Sequence, residues 1–220
     1  MTDSNPGSRL AGVLLLSSLT AMIAGAAVVV PSGLTLNPSD PAGALAAVGE
    51  HVGLHMTELA LDVLGWLALA AAGLVMAAGS ARAPRPYLVV LAGGLLTAAG
   101  LAGMLHDAGN LALTQLTQLT AVPAAVPVAA AVLLTAKWMV NLAGLLWVAA
   151  TAAAVAGVPM PAGLRRAGAV VALPGLVAVA LPWTTGVRGP SVMMEQLGYA
   201  LHLPIILWFG VLGWRYLRGG

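Results

Sequence analysis

The sequence predicts an all-α membrane protein, a bundle of six transmembrane helices with both chain termini in the cytoplasm. Composition is the first observation behind this prediction. Of the 220 residues, 60% are hydrophobic and 7% are charged, and the mean hydropathy is +0.97. A soluble domain carries about 25% charged residues. So few charges do not cover a water-facing surface, which excludes an ordinary soluble enzyme and a disordered regulator.

The length of the apolar stretches is the second observation. A helix needs about 20 mostly apolar residues to cross the hydrocarbon core of a bilayer. Six stretches reach this length within one transmembrane domain, residues 1–220. The predicted spans are residues 10–30, 51–78, 86–110, 128–157, 167–187 and 195–217. Pro174, Pro182 and Pro204 fall inside spans, where membrane helices tolerate proline as a kink.

Three span ends need separate argument. The third span could continue to Leu116, because no proline interrupts it before Pro123. Pro123 and Pro127 favour an irregular entry into the fourth span. The first stretch follows Arg9, as a signal peptide would, but it is longer than a 7–15-residue signal core. We therefore expect a retained first span.

The distribution of basic residues is the third observation. In a six-span layout, seven of the nine basic residues lie on the cytoplasmic side, as the positive-inside rule requires. These seven are Arg9, Arg82, Arg85, Arg165, Arg166, Arg215 and Arg218. Arg188 falls in an outer loop and Lys137 inside a span, whereas Asp40 and Glu50 lie outside. The pattern predicts a multi-pass protein of the bacterial inner (plasma) membrane.

Charge and cysteine content exclude further classes. Nine basic residues against seven acidic ones give a net charge of +2, which is too small a basic field for nucleic-acid binding. The chain has no cysteine, so disulfides, thiolate metal sites and cysteine nucleophiles are excluded. The lipid bilayer is the predicted partner, together with a lipophilic small molecule.

We predict an irregular outer connection over residues 31–50, because Asn37-Pro38 and Asp40-Pro41 are turn signals.

Ionisable residues inside the second span give the first indication of function. His51, His55, Glu58 and Asp62 are spaced 4, 3 and 4 apart, which places them on one face of a helix. If His51 marks the outer interface, Glu58 lies about 10 Å deep and Asp62 about 16 Å deep. Ionisable groups at such depth are costly and mark functional sites. His51 itself is expected to be an interfacial residue.

Two other spans carry polar residues at similar depth. Lys137 lies about 13 Å inside the fourth span, and we expect it to pair with Glu58 or Asp62. Glu195, Tyr199 and His202 share one face of the sixth span through their i, i+4 and i+7 spacing. We therefore predict a polar pocket that opens toward the outer leaflet.

The third span ends in His106, Asp107 and Asn110, and His106 and Asn110 share one face. With a span end near residue 110, His106 and Asp107 are expected in the headgroup region. They therefore stay outside the predicted catalytic set.

Two functions fit these residues, and both stay open. One is an acid–base enzyme of isomerase or cyclase type that acts on a lipid-soluble or isoprenoid substrate, because such chemistry needs an apolar site with a strong acid. The other is a small proton- or cation-coupled transporter or an accessory membrane subunit with a structural buried ion pair. The candidate catalytic residues are Glu58, Asp62, His55, His202, Lys137, Tyr199 and Glu195.

Some small terpene cyclases of the membrane use two carboxylates, and Glu58 and Glu195 would be the corresponding pair here. A metal hypothesis also stays open, because His51 and His55 are four residues apart on one helix. Its ligands would be His55, Glu58, His106 and His202. No other cofactor is predicted, since the sequence has neither a P-loop nor a Rossmann glycine motif.

The first two spans resemble an uncharacterised family of six-span bacterial membrane proteins. The residues that carry the resemblance are the segment Arg9-Leu10-Ala11-Gly12-Val13-Leu14-Leu15, the exit at Pro31, the small-residue segment 41–49 and the segment 58–66 with Glu58, Asp62 and Trp66. The resemblance implies the six-helix fold and no particular activity. The density of histidines around Glu58 departs from the family pattern and suggests a specialised member.

Overall fold

The described part of the chain is helical and contains no strand. A computed structural model describes residues 6–34, 36–119 and 124–219. Its helices are α1 (Pro6–Val29), α2 (Pro41–Glu50), α3 (Val52–Ala78), α4 (Pro86–Leu116), α5 (Ala125–Gly157), α6 (Ala162–Ala180) and α7 (Val192–Leu217). All except α2 belong to segments long and apolar enough to cross a membrane. The protein is an integral, multi-pass membrane protein, as predicted.

The six long helices form a closed ring in chain order. α1 packs on α3, α3 on α4, α4 on α5, α5 on α6 and α6 on α7, and α7 returns to α1. Alternate helices run in opposite directions, so Pro6 and Leu217 lie at one end of the ring, the terminus end. The opposite end carries α2 and is called the α2 end.

The terminus half of the ring is densely packed. α1 and α7 approach so closely that a Cβ atom on Gly12 would come 2.6 Å from the carbonyl oxygen of Gly213. Across the centre, the rings of Trp66 and Trp147 lie 5.6 Å apart and those of Trp147 and Phe209 lie 6.3 Å apart. Edge-to-face and tilted contacts at these distances are the favourable ones for aromatic side chains. This aromatic layer fills the middle of the bundle.

The α2 end contains a helix that the sequence analysis did not predict. Residues 41–50 form α2 instead of an irregular connection. The Asp40 side chain accepts a hydrogen bond from the Gly43 amide at 2.9 Å, and Pro41 occupies the first helical turn. The Asp-Pro pair therefore caps a helix here instead of only marking a turn. Leu45 packs with Leu113 of α4 and Leu133 of α5, so that α2 covers the end of the ring.

Other predicted ends shift by a few residues. α4 continues to Leu116, which is the longer of the two predicted alternatives. α5 begins at Ala125 and includes Pro127 in its first turn, where a proline removes no hydrogen bond. Pro174 and Pro204 lie inside helices, as predicted. Pro182, however, lies in a 3₁₀ segment that follows α6, so it is not a kink inside an α-helix.

Candidate functional site

Three of the four ionisable residues predicted on one face of α3 turn toward the inside of the ring. His55 is fully buried, Glu58 keeps 17% of its side chain exposed, and Asp62 is partly buried. His51 is exposed at the position that precedes α3, in agreement with its expected interfacial place. At 1.5 Å per residue, Glu58 lies about 9 Å and Asp62 about 15 Å from the start of α3.

His55 is held in one tautomer by the backbone of α4. Its Nε2 atom lies 3.2 Å from the carbonyl oxygen of Asn110, which accepts and does not donate, so Nε2 carries the hydrogen. In the neutral imidazole Nδ1 is then the acceptor, and it has no hydrogen-bond partner among the described residues. It lies 3.7 Å from Oε2 of Glu58. A buried imidazole lone pair thus faces a carboxyl group.

Asp107 belongs to this site, although the sequence analysis placed it in the headgroup region. Its exposed fraction is 1%. Its carboxyl group neighbours that of Asp62, with Glu58 also close. Its carboxyl group shares a hydrogen bond with that of Asp62, and no N–H group of a described residue donates to either of its oxygens. We call Glu58, Asp62 and Asp107 the acidic cluster.

The misplacement has a simple geometric cause. A span that ends at residue 110 puts Asp107 at the interface, whereas α4 ends at Leu116, six residues later. At 1.5 Å per residue this buries Asp107 about 9 Å deeper. The available signal was the spacing of Gly100, Gly103 and Asp107, which places Asp107 on the same helix face as two glycines that pack against Trp66.

His106 is also buried, and both of its ring nitrogens are engaged. Nδ1 donates to the carbonyl oxygen of Ala136 at 2.8 Å, and Nε2 accepts from the side-chain amide of Asn110 at 3.0 Å. A neutral imidazole has one donor and one acceptor, and here both are used. His106 therefore positions Asn110, and through it His55, but offers no free nitrogen to a metal or a proton.

Asp62 connects the acidic cluster to the aromatic layer. The indole Nε1 of Trp66 donates to Oδ2 of Asp62 at 3.3 Å, one helical turn away. The Trp66 ring in turn packs edge-on against Trp147. The carboxyl groups thus lie next to the densely packed terminus half of the ring, on its α2 side.

Lys137 does not pair with Glu58 or Asp62, and that prediction is wrong. Its Nζ atom lies 3.1 Å from Oε1 of Glu195 on α7, and both side chains are largely buried. In the ring, α5 is separated from α3 by α4 and from α7 by α6, and α5 also contacts α7 directly. This direct packing of α5 on α7 brings Lys137 to the acid on α7.

Tyr199 lies between the two groups of charges. Its phenolic oxygen is within hydrogen-bonding range of the Lys137 ammonium, and the charges of Glu195, Asp62 and Glu58 are all close to it. Even so, 55% of the Tyr199 side chain is exposed. Tyr199 therefore lies at the outer edge of the site.

His202 makes a different contact from the other predicted site residues. Its Nδ1 atom donates to the carbonyl oxygen of Gly198 at 3.1 Å, and its Nε2 atom faces the backbone of Gly144. Nε2 lies against the backbone of α5, because a Cβ atom on Gly144 would come 2.6 Å from it. His202 thus packs between α5 and α7 and does not join His55.

The proposed metal ligands are not assembled. Among the described residues, no group of three or more His, Cys, Asp or Glu side chains is arranged to hold a metal ion. His106 uses both nitrogens in hydrogen bonds, and His202 faces the α5 backbone. The arrangement therefore does not fit the set His55, Glu58, His106 and His202.

α1 and α7 touch in the terminus half, at Gly12 with Gly213 and at Leu19 with Gly210. Farther along, α1 packs on α3, since a Cβ atom on Gly25 would meet Leu61 at 3.6 Å. On α7, none of the residues 192–204 is buried, whereas six residues from Ile205 to Gly213 are. The half of α7 that carries Tyr199 is therefore less deeply buried than its terminus half.

The segment before α2 covers the end of this side. Asn37 is buried, and its side-chain amide donates to the carbonyl oxygen of Pro190 at 3.2 Å. Glu195 is also a neighbour of Asn37. Together with α2, this contact covers the α2 end of the ring. It does not cover the side of the ring between α1 and α7.

Two surface cavities lie elsewhere, at the terminus end. One of about 440 Å³ is lined by Gly7, Val75 and Arg82, among others. The second, of about 220 Å³, is lined by Arg85, Pro159 and their neighbours. Neither cavity is lined by a predicted site residue. The predicted polar residues therefore form a cluster of side chains at the inner wall of the ring and do not line either cavity.

No protein family, curated protein or solved structure matches this chain. The resemblance of the first two spans to an uncharacterised six-span family stays a prediction.

Proposed function

We propose that the protein is a membrane-embedded acid–base enzyme that acts on a lipid-soluble substrate. The observation that carries the proposal is the pair formed by His55 and Glu58. A fully buried imidazole with a fixed tautomer directs its free Nδ1 atom at a carboxyl group 3.7 Å away. General acid–base catalysis needs a positioned donor and acceptor within reach of the same proton.

In this proposal, Glu58 exchanges a proton with the substrate and His55 exchanges it with Glu58. Glu58 is the more accessible of the two, with 17% of its side chain exposed against 0% for His55. The Nε2–H group of His55 stays bonded to the Asn110 carbonyl oxygen. The bond keeps the ring oriented while Nδ1 gains or loses its proton, as second partners of catalytic histidines do.

Double-bond isomerisation or proton-initiated cyclisation of an isoprenoid chain is the reaction class we propose. Both reactions deliver one proton and remove one, inside an apolar environment that excludes water. Asp62 and Asp107 lie next to Glu58, where carboxylates stabilise positive charge that develops on a hydrocarbon. Tyr199 lies at the outer edge of the site, toward the substrate.

The low burial of residues 192–204 of α7 supports entry from the bilayer. In this proposal, a lipid-soluble substrate reaches the acidic cluster between α1 and α7, without crossing the α2 end. The closed aromatic layer of Trp66, Trp147 and Phe209 lies beneath the cluster. A layer of this kind ends the path at mid-depth, which favours an enzyme over a transporter.

We also propose that the α2 end faces the outside of a bacterial plasma membrane. Seven arginines lie at the terminus end: Arg9 in α1, Arg82 and Arg85 between α3 and α4, Arg165 and Arg166 near the start of α6, and Arg215 and Arg218 at the end of α7. The positive-inside rule assigns such an end to the cytoplasm. The substrate would then come from the outer leaflet.

Turnover of lipids by the purified full chain tests the proposed function. The protein is reconstituted in nanodiscs with a bacterial lipid extract, and new lipid species are followed by mass spectrometry. We expect His55→Gln and Glu58→Gln to lower the rate by about a hundredfold or more, in the range of lost acid–base catalysis. His51→Gln, which changes an exposed histidine of the same stripe, is the matched control and should keep the rate.

Two results would overturn the proposal. One is a His55→Gln variant that folds and keeps the wild-type rate. The other is the absence of any lipid product that depends on the wild-type protein. Folding of each variant is checked by its elution volume and its thermal unfolding midpoint.

A further inference from the structure

Several buried atoms on the inner faces of α3 and α4 receive no N–H hydrogen bond from a described residue. They are Nδ1 of His55, both carboxyl oxygens of Asp107 and the side-chain oxygen of Asn110. The Nε2–H group of His55 and the amide of Asn110 already donate elsewhere, which leaves Nδ1 of the neutral imidazole and the Asn110 oxygen as acceptors. Asp107 shares a hydrogen bond with Asp62 and has no N–H donor. The exposed fractions of these residues are 0%, 1% and 4%.

Unpartnered acceptors at such burial are costly, because each has lost water without gaining a donor. The same region holds the three carboxyl groups of the acidic cluster. Among the described residues, no lysine or arginine forms an ion pair with them, because Lys137 is paired with Glu195. The buried acceptors of His55, Asp107 and Asn110 therefore lack an N–H donor, and the acidic cluster lacks a lysine or arginine partner, among the described residues.

We propose that the acidic cluster binds the primary ammonium head of a lipophilic amine, and that this is the substrate class of the site. An ammonium supplies three N–H donors for these acceptors and one positive charge for the acidic cluster. The inference rests on the proposed function, since it names the substrate of the same site.

The geometry favours an organic cation over a metal ion. Among the described residues, no group of three or more His, Cys, Asp or Glu side chains is arranged to hold a metal ion. The acceptors lie on two helices, with His55 on α3 and Asp107 and Asn110 on α4. An ammonium nitrogen binds acceptors at about 2.7–3.2 Å, whereas a metal requires ligands at about 2.0–2.6 Å.

The place of the cluster determines the rest of the ligand. Asp62 lies about 15 Å from the start of α3 and Asp107 about 14 Å from the end of α4, at 1.5 Å per residue. Both are therefore within the membrane. An ammonium at this depth, reached between α1 and α7, carries an apolar chain that stays in the bilayer. A short water-soluble amine has no such route, because α2 and Asn37 cover the α2 end.

Equilibrium binding of radiolabelled dodecylamine to the purified full chain in maltoside micelles tests the inference. We expect saturable binding to the wild type. Dodecanol has the same chain without the charge, and dodecyltrimethylammonium has the charge without N–H donors. Both should compete at least about tenfold more weakly, because a hydrogen bond to a charged group contributes more than one factor of ten.

Variants then locate the site. Asp107→Asn should weaken dodecylamine binding by about tenfold or more, since it removes a carboxylate acceptor and its charge. Glu58→Gln tests the same cluster in case Asp107→Asn does not fold. Glu50→Gln, an exposed acid on α2, is the matched control and should leave binding unchanged.

Equal competition by dodecanol or by dodecyltrimethylammonium would overturn the inference, and so would unchanged binding by folded Asp107→Asn and Glu58→Gln. The result is separable from the test of the proposed function. Lipid turnover that depends on His55, without selective amine binding, refutes only the substrate class. Selective amine binding without any product that depends on His55 refutes the enzyme and leaves an amine-binding site.

Discussion

Lys137 of α5 and Glu195 of α7 form an ion pair in which Nζ and Oε1 lie 3.1 Å apart, with exposed side-chain fractions of 9% and 13%. The pair joins two helices that otherwise share few contacts. Tyr199 lies beside the lysine, so the pair also borders the outer edge of the site.

Replacing one member of this pair should destabilise the bundle more than replacing both members. Lys137→Met or Glu195→Gln alone leaves a buried charge without its partner, at a cost of about 3–5 kcal/mol. The double variant has no unpaired charge, so we expect its unfolding midpoint to lie above those of both single variants. Thermal unfolding in micelles measures the difference. Additive effects of the two substitutions would show that the groups do not interact.

The approach of α3 and α4 gives a second prediction, because Gly100 has no space for a side chain. A Cβ atom there would lie 2.6 Å from the carbonyl oxygen of Trp66 and 2.8 Å from Ala70. We expect Gly100→Ala to destabilise the protein by about 1–3 kcal/mol, the usual cost of overpacking. The displaced α3 also moves Trp66 and Asp62, so lipid turnover should fall with stability.

Gly94 is the matched control for this substitution. It lies on the same helix, and a Cβ atom there would have no neighbour within 4 Å. Gly94→Ala should therefore be neutral or should stabilise the helix by up to about 1 kcal/mol. If both alanine variants had the same unfolding midpoint, the close packing of α3 on α4 at Gly100 would be refuted.

The six spans were predictable because each depends on a local property, a run of apolar residues long enough for the bilayer. The partners of the polar side chains depend on the order of helices in the ring, which no single span contains. Lys137 was therefore assigned to the wrong acid. Asp107 was missed for a related reason, since its depth depends on whether α4 ends at residue 110 or at Leu116.

The inward stripe of α3 was predictable for the same local reason as the spans. The spacing of His55, Glu58 and Asp62 places them on one helix face whatever the neighbouring helices are. The structure adds what the spacing does not contain, namely that Asn110 fixes the tautomer of His55. The functional roles of these residues stay predictions.

The cap of α2 gives a third prediction. The Asp40 side chain accepts a hydrogen bond from the Gly43 amide at 2.9 Å. Replacing such a cap with alanine lowers helix stability by about 1 kcal/mol. Asp40→Ala should therefore raise the rate of hydrogen exchange over residues 41–50. Asp40→Asn keeps an acceptor and should leave exchange near the wild-type rate. Equal protection in Asp40→Ala and the wild type would show that the cap contributes nothing to α2.

The proposed orientation gives the last prediction, and the absence of cysteine from the chain makes it simple to test. Glu50→Cys places a thiol at the α2 end, and Gly163→Cys places one at the terminus end, at the start of α6. Glu50 and Gly163 are both exposed, and a side chain at Gly163 would meet no atom within 4 Å. Each variant then carries a single thiol to label.

A membrane-impermeant maleimide should label Glu50→Cys in intact cells and Gly163→Cys only after the membrane is opened. The physical reason is the group of arginines at the terminus end, which the positive-inside rule retains in the cytoplasm. The unmodified chain is the control for background labelling, because it has no thiol. The reverse pattern would place the α2 end in the cytoplasm, and a lipophilic amine would then enter the acidic cluster from the inner leaflet.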